Sequence, residues 1–104
     1  MEQNRPTEFW FEAEQLTKKA LESKSTDFCK KVRSVLVALI ESAAIADTTV
    51  AISMICIAKI EWFLGNRAEA KKLLADAGAK NDAFMNSWKA VDPKIGEILR
   101  FSPD

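Results

Sequence analysis

Apolar residues recur every three or four positions through much of the chain, which is the spacing of an amphipathic helix. A first helix is predicted over about Thr7–Ser23, with one apolar face formed by Phe9, Ala13, Leu16 and Ala20. A second helix is predicted over about Asp27–Ala46, since its apolar positions are 28, 29, 32, 35, 36, 39, 40 and 43. Three good N-cap residues stand in succession at its start: Ser25, Thr26 and Asp27. The first half of the chain is therefore predicted to form a helical hairpin.

A third helix, expected over about Thr48–Leu64, differs from the first two because it has no polar face. Its apolar side chains surround the whole circumference: Val50, Ile52, Met54, Ile55, Ile57, Ala58 and Ile60. A helix that is apolar all round belongs in the centre of a fold. The β-branched residues at 50–57 would also suit a strand, which is the alternative here; the flanking helical pattern and the alanines favour the helix.

Glycine and asparagine divide the second half of the chain into shorter helices. Gly65 is expected to end the third helix in the left-handed conformation, and Asn66 with Glu69 resembles a capping box that starts a fourth helix, about Arg67–Ala77. Gly78 is expected to end that helix in the same way.

Two further helices complete the predicted fold. A fifth helix begins at Asn81 or Asp82, and Asp92-Pro93 ends it and starts a short sixth one with Asp at the N-cap and Pro at the first helical position. The 104 residues have room for one hydrophobic core, so we expect a single domain over residues 1–104. The fold class is then all-α, built from antiparallel hairpins of about five to six helices.

The composition supports this fold and limits the classes of partner that we expect. Hydrophobic residues make up 48% of the chain and charged residues 29%, with only three Gly and three Pro, which is too apolar for disorder and too poor in turn residues for an all-β fold. The formal net charge is zero, which argues against a nucleic-acid partner. Basic residues do concentrate between Lys18 and Arg33; a solvated face explains them most simply, and a docking patch for an acidic partner is the alternative.

The residue types that most enzymes need are missing. The chain contains no His and no Tyr, no glycine-rich phosphate loop and no pair of cysteines spaced to bind metal. Cys29 and Cys56 stand among apolar residues, as reduced core cysteines do, and Glu8, Glu12 and Glu14 are typical of a solvated acidic face. We therefore expect no catalytic residues, no cofactor and no metal site, and a protein that is not an enzyme.

Nothing in the chain resembles a membrane or export segment. Met1–Thr7 is polar, and acidic residues interrupt the segment after it at Glu8, Glu12 and Glu14. The apolar stretch Val50–Ile60 is eleven residues long, far short of the roughly 20 that a bilayer-spanning helix needs. The expectation is a soluble, cytoplasmic protein with no membrane partner.

Residues 51–84 place large, small and turn residues at regular positions over a length of 34 residues. Counted from Ala51, these positions are filled in order by Ile57, Ala58, Gly65, Ala70, Leu74 and Ala77. In this spacing the segment resembles one tetratricopeptide repeat. The chain departs from the family where Trp, Tyr and Pro are common, at Met54, Glu61 and Asp82. The resemblance implies a helical scaffold that binds peptides or helices in a groove, as the cytoplasmic chaperones of bacterial type III secretion do. One repeat does not form a deep groove, so the first two helices or a second subunit would have to complete it.

Large aromatic residues supply the candidate binding residues. Phe9, Trp10 and Phe11 cover about 200° of a helix, so they cannot all enter one core. The candidates that lie off the main apolar stripe of their helices are Trp10, Phe11, Trp62 and Trp88. We expect at least one of these four to be buried only on association with a partner or with a second copy. Two functions are consistent with this pattern: an adaptor or chaperone that binds a helix or peptide of another protein in an apolar groove, or a regulatory or inhibitory protein that forms a homodimer.

Overall fold

The computed structural model describes the backbone of residues 6–41 and 47–102, and the side chains of 12–41, 50–83 and 85–102. These residues form six helices: α1 Pro6–Ser23, α2 Thr26–Glu41, α3 Asp47–Leu64, α4 Arg67–Lys80, α5 Asp82–Val91 and α6 Pro93–Arg100. The all-α class is confirmed, and residues 50–57 are helical rather than a strand. The predicted end of the second helix at Ala46 lies outside the described residues.

Helix α3 is the centre of the fold, as its all-round apolar pattern predicted. Residues 50–58, Ile60 and Trp62 are buried, and Lys59 is the one partly exposed position among residues 50–60. The helix contacts α1 and α2 on one side, and α4 and α6 on the other. Among the described helices none combines the length and the hydropathy that a membrane span needs.

Two hydrophobic clusters lie on opposite sides of α3. The first joins α3 to α1 and α2 through Ala13, Ala20, Cys29, Val32, Leu36, Ile52, Cys56, Ile57 and Ile60. The second joins it to α4, α5 and α6 and includes Ala58, Ala70, Leu74, Ala77, Met85, Ile95 and Ile98. Ile40, Leu73 and Trp88 are partly buried and pack against both clusters, so the two halves share a continuous apolar interior.

The α3–α4 hairpin has small residues where its helices approach each other. Ala58 on α3 and Ala70 and Ala77 on α4 have no exposed surface. A methyl group at such a position lets two helix backbones come close, whereas a longer side chain would hold them apart. These are the small positions on which the resemblance to the tetratricopeptide repeat rests.

The turn between α3 and α4 is a Schellman motif. Gly65 has φ +94°, its N–H donates to the Trp62 carbonyl at 3.2 Å, and the Asn66 N–H donates to the Glu61 carbonyl at 2.8 Å. The predicted left-handed Gly65 is therefore confirmed. The predicted capping box is wrong, because the Asn66 side chain does not cap α4 and its Nδ2 instead donates to Glu61 Oε1 at 2.7 Å.

The predicted end of α4 at Gly78 is also wrong, since the helix continues to Lys80. Gly78 lies inside the helix beside α5, where an added Cβ would lie 3.6 Å from Met85 Cγ. The Asn81 N–H donates to the Ala77 carbonyl at 3.1 Å, so the hydrogen bonds of the helix extend past its glycine.

The remaining caps follow the sequence more closely. Ser25 is the residue that caps α2, its Oγ accepting from the Phe28 N–H at 3.2 Å, while Thr26 already belongs to the helix. Asp92 caps α6 by accepting from the Lys94 N–H at 3.0 Å, with Pro93 at the first position. Lys24, with φ +57°, ends α1 in the left-handed conformation, which no glycine signalled.

The two glycines of α3–α4 should respond oppositely to alanine. Gly65→Ala should lower the free energy of unfolding by about 1 kcal/mol, because a side chain is strained at positive φ although no atom lies within 4 Å of the added Cβ. Gly78→Ala should raise it by about 0.5–1 kcal/mol, because alanine restricts the unfolded chain and fits the helix. Denaturant midpoints test both; a Gly78→Ala variant as destabilised as Gly65→Ala would contradict the helical assignment of residue 78.

Ser53, on α3, is fully buried, and its Oγ has no hydrogen-bond partner among the described residues. Ser53→Ala should therefore raise the free energy of unfolding by about 1 kcal/mol, since it removes an unpaired buried hydroxyl without leaving a large cavity. The matched control is Ser34→Ala on α2, where an exposed hydroxyl bonds the Lys30 carbonyl and a change within about 0.5 kcal/mol is expected. Thermal melts of both variants make the comparison; loss of stability in Ser53→Ala would mean that the hydroxyl has a partner.

Candidate protein-binding surface

Trp62 is buried within the chain, so this candidate does not belong to the exposed set. Only 8% of it is accessible. The Phe101 ring meets it edge-on with centroids 5.6 Å apart, and the Arg67 guanidinium carbon lies 4.1 Å above its ring centroid. Phe101 is the C-cap residue of α6, a helix that packs against α4, and Lys71 Nζ of α4 donates to the Phe101 carbonyl at 2.5 Å. These contacts with α4 and with the segment after α6 cover a face of α3 that the helix periodicity alone left open.

The other three predicted binding residues do not form a common site with Trp62. Trp88 on α5 is partly buried and packs against both hydrophobic clusters. Trp10 and Phe11 lie in the first turns of α1, and their side chains are outside the described residues. Because Trp62 and Trp88 pack inside the fold, the four aromatic residues do not form one binding surface together.

An apolar groove runs instead between α1 and α2 on the side facing away from α3. Its volume is about 360 Å³, and its lining is Glu12, Ala13, Leu16, Val35, Leu36, Ala38 and Leu39. Ala13 and Leu36 are buried and form the floor. Leu16 and Val35 are 39% and 58% exposed, and they stand on the two helices that border the groove. The groove thus brings together two exposed aliphatic side chains from two different helices.

The groove follows from the residues that α1 and α2 turn toward α3. On α1 the buried positions are Ala13, Thr17 and Ala20, all small, so α1 can lie close to α3 and Leu16 falls outside this stripe. On α2 the buried positions are 29, 32 and 36, which leaves Val35 at the edge. The sequence does carry a signal for this surface, since α2 has more apolar positions than one buried stripe requires. Trp62 and Trp88 do not line the groove and so do not indicate it.

The two ends of the groove have charged side chains of opposite sign. Glu12 lies on α1 one turn before Leu16, and Lys19 one turn after it; the three also border a small depression of about 330 Å³ with Gln15. Lys31, exposed on α2, lies one turn before Val35. Because Lys24 and Ser25 reverse the chain between the helices, Lys19 and Lys31 share the end near the turn.

The basic segment 18–33 is not a uniform patch. Arg33 Nη1 lies 2.9 Å from Glu61 Oε1 on α3, with 28% and 12% of the two side chains exposed. A comparable pair joins Lys59 Nζ to Asp92 Oδ2 at 2.7 Å. Both pairs connect α3 to other elements. Within the segment 18–33, Arg33 therefore serves the fold rather than a docking site for an acidic partner.

A second cleft, of about 580 Å³, lies between α1 and α3, and Cys56 is among the residues that line it. Cys56 is only 1% exposed. Burial raises the pKa of its thiol from 9.0 to about 11, although a hydrogen bond with Thr17 and the charge of Lys59 act in the opposite direction. Burial also raises the pKa of Cys29, whose Sγ donates to the Ala20 carbonyl at 3.4 Å. Both thiols stay protonated near neutral pH, which suits core packing and not nucleophilic catalysis.

The described residues contain no group of three or more His, Cys, Asp or Glu side chains arranged to hold a metal ion. Comparison of the chain with protein-family models, curated proteins and solved structures found no match. The surfaces of the chain itself therefore indicate its function, and the α1–α2 groove is an apolar concave surface bordered by exposed side chains.

Stability above about pH 9 should depend on Cys56. Between the unfolded pKa of 9.0 and the folded pKa of about 11, the native state keeps a proton that the unfolded chain releases, so the free energy of unfolding falls as pH rises through this window. Urea denaturation at about pH 8 and about pH 10 measures this effect. The free energy of unfolding should fall more for the wild type than for Cys56→Ala, by up to about 1 kcal/mol per pH unit. Equal falls in the two proteins would show that Cys56 titrates normally.

Proposed function

We propose that this chain is a non-catalytic protein-interaction module that binds an apolar helix of a protein partner in the α1–α2 groove. The observation that carries the proposal is the pair Leu16 and Val35, which remain exposed on the two helices bordering an apolar groove. An amphipathic helix docked in such a groove is a common mode of recognition. The module acts as an adaptor or as a chaperone for the helix it covers.

The geometry of the groove favours a helix as its ligand. Ala13 and Ala38 leave space between the larger side chains Leu16, Val35 and Leu39, so that partner side chains can enter between them. Full burial of a Leu or Val side chain is worth roughly 1.5–3 kcal/mol, and since Leu16 and Val35 are already partly covered, each has about 1 kcal/mol left to contribute. Leu16 and Val35 thus contribute binding energy, and the charge of Glu12 at the rim orients the bound helix.

The α3–α4 hairpin supports the same class of function. Its resemblance to a tetratricopeptide repeat implies a peptide-binding scaffold, and the family's small positions at Ala58, Ala70 and Ala77 are buried at the helix crossing. Because α1 and α2 pack against α3, they add a second helix pair to the one hairpin that fits the repeat. By analogy with the secretion chaperones of that architecture, the proposal includes a location in the bacterial cytoplasm.

Two of the four aromatic candidates stay predictions as partner-binding residues. Trp10 and Phe11 belong to α1, the helix that borders the groove, and we keep them as candidate partner-binding residues. Trp62 and Trp88 are covered by α4, α6 and the two clusters, so we assign them to the core. The groove residues Leu16, Val35 and Leu39 take their place.

A photo-crosslinking amino acid in place of Ala38 should capture a polypeptide in cells of the native host, because this exposed residue lines the groove. Val35→Glu should abolish the adduct without lowering the melting temperature, since it puts a charge on the interface at a site already in water. The control is Val91→Glu on α5, where a side chain 79% exposed lies away from the groove and capture should persist. Undiminished capture by the Val35→Glu variant, or no adduct from position 38, would refute the groove as the binding surface.

A further inference from the structure

We infer that the helices occupying the α1–α2 groove are those of a second copy of this chain, so that two α1–α2 hairpins pack face to face as an antiparallel four-helix interface. This inference rests on the proposed function, since it names the partner for the same groove. Its grounds are the order of charges along the groove and their distances from Leu16.

The charges are arranged symmetrically about Leu16. Glu12 precedes Leu16 by four residues and Lys19 follows it by three. At a rise of about 1.5 Å per residue, the two charges are about 10 Å apart along α1, and their midpoint falls within one residue of Leu16. The apolar side chain therefore stands at the centre between an acidic and a basic end.

Helix α2 adds a second basic residue at the same end. Cys29 Sγ on α2 donates to the Ala20 carbonyl on α1, so the two helices run antiparallel from the turn at Lys24 and Ser25. Lys31 therefore lies beside the Lys19 end, one turn from Val35. The groove then has two exposed cations at one end, aliphatic residues in the middle and an exposed carboxylate at the other end.

A two-fold axis through Leu16 makes this surface its own complement. It would place Glu12 of each copy against Lys19 and Lys31 of the other, and Leu16 and Val35 of each copy in the other's groove. The opposite, parallel alignment would place like charges together at both ends, so the charge order selects the antiparallel one. Two neutral chains also meet without net repulsion, because each carries 15 basic and 15 acidic residues.

Packing two helical hairpins through such faces gives the arrangement of an antiparallel four-helix bundle. Ala13 and Ala38 provide the holes, and Leu16, Val35 and Leu39 the side chains that fill them. The interface extends the core of the α1–α2 half outward from the cluster that already contains Ala13 and Leu36.

Sedimentation velocity of the purified chain over a range of concentrations tests this inference. The wild type should sediment with twice its 11.6 kDa chain mass. Glu12→Lys alone should weaken association by about tenfold or more, and so should Lys19→Glu combined with Lys31→Glu, because each places like charges together at both ends. An equimolar mixture of these two variants should restore the dimer, since every end then carries opposite charges.

Two charge reversals away from the groove serve as controls. Glu69→Lys on α4 and Lys89→Glu on α5 change exposed residues outside α1 and α2, and neither should alter the mass. Circular dichroism should show native helicity in every variant, because each altered side chain is exposed.

The possible outcomes separate this inference from the proposed function. A wild type that stays monomeric at all concentrations overturns the second copy as partner; if the crosslinker at residue 38 then captures a different polypeptide, the groove remains a binding surface, and if it captures none, both proposals fail. A dimer that survives both sets of charge reversals overturns the antiparallel two-fold arrangement. Restored association only in the mixture supports it, because no single-chain effect on folding produces that result.

Discussion

The fold depends on one constraint, which is that α3 is apolar around its whole circumference and must be enclosed. No single neighbouring helix can cover it, because a helix contacts a partner along only one stripe. The chain therefore places α1 and α2 on one side and α4 with α6 on the other, and the two hydrophobic clusters meet through Ile40, Leu73 and Trp88. The described residues extend over 49 × 31 × 24 Å, as expected when helices are arranged on both sides of a central one.

The two sides of α3 are covered to different degrees, and this asymmetry is the basis of the functional proposal. On the α4–α6 side, Trp62 is enclosed by Phe101 and Arg67, and Lys59 is tied to Asp92. On the other side α1 and α2 pack inward on α3 and carry Leu16 and Val35 on their outer face. Exposure of aliphatic side chains to water is unfavourable, and this unfavourable free energy is removed when a partner covers them. The charges at the two ends of the groove give the partner an orientation.

The order and type of the elements could be predicted because they depend on local signals. Periodicity located all six helices, and the caps at Ser25, Gly65 and Asp92 act through backbone groups within three or four residues. The two wrong predictions at helix ends involve more distant groups. Gly78 lies inside a helix that packs beside Met85 of the next one. The Asn66 amide bonds the Glu61 carboxylate, which Arg33 of α2 also binds. Propensity cannot anticipate such neighbours.

The sequence by itself thus determined that the protein is helical, that α3 is its core helix, and where most turns lie, because apolar spacing and turn chemistry act within a few residues. The tertiary structure alone decided which apolar residues stay exposed. Trp62 is covered by Phe101, 39 positions away in the chain, whereas Leu16 and Val35, which fit the apolar pattern of their helices, border an open groove. A residue's periodicity gives its direction from the helix axis, but only the positions of the other helices decide whether anything packs there.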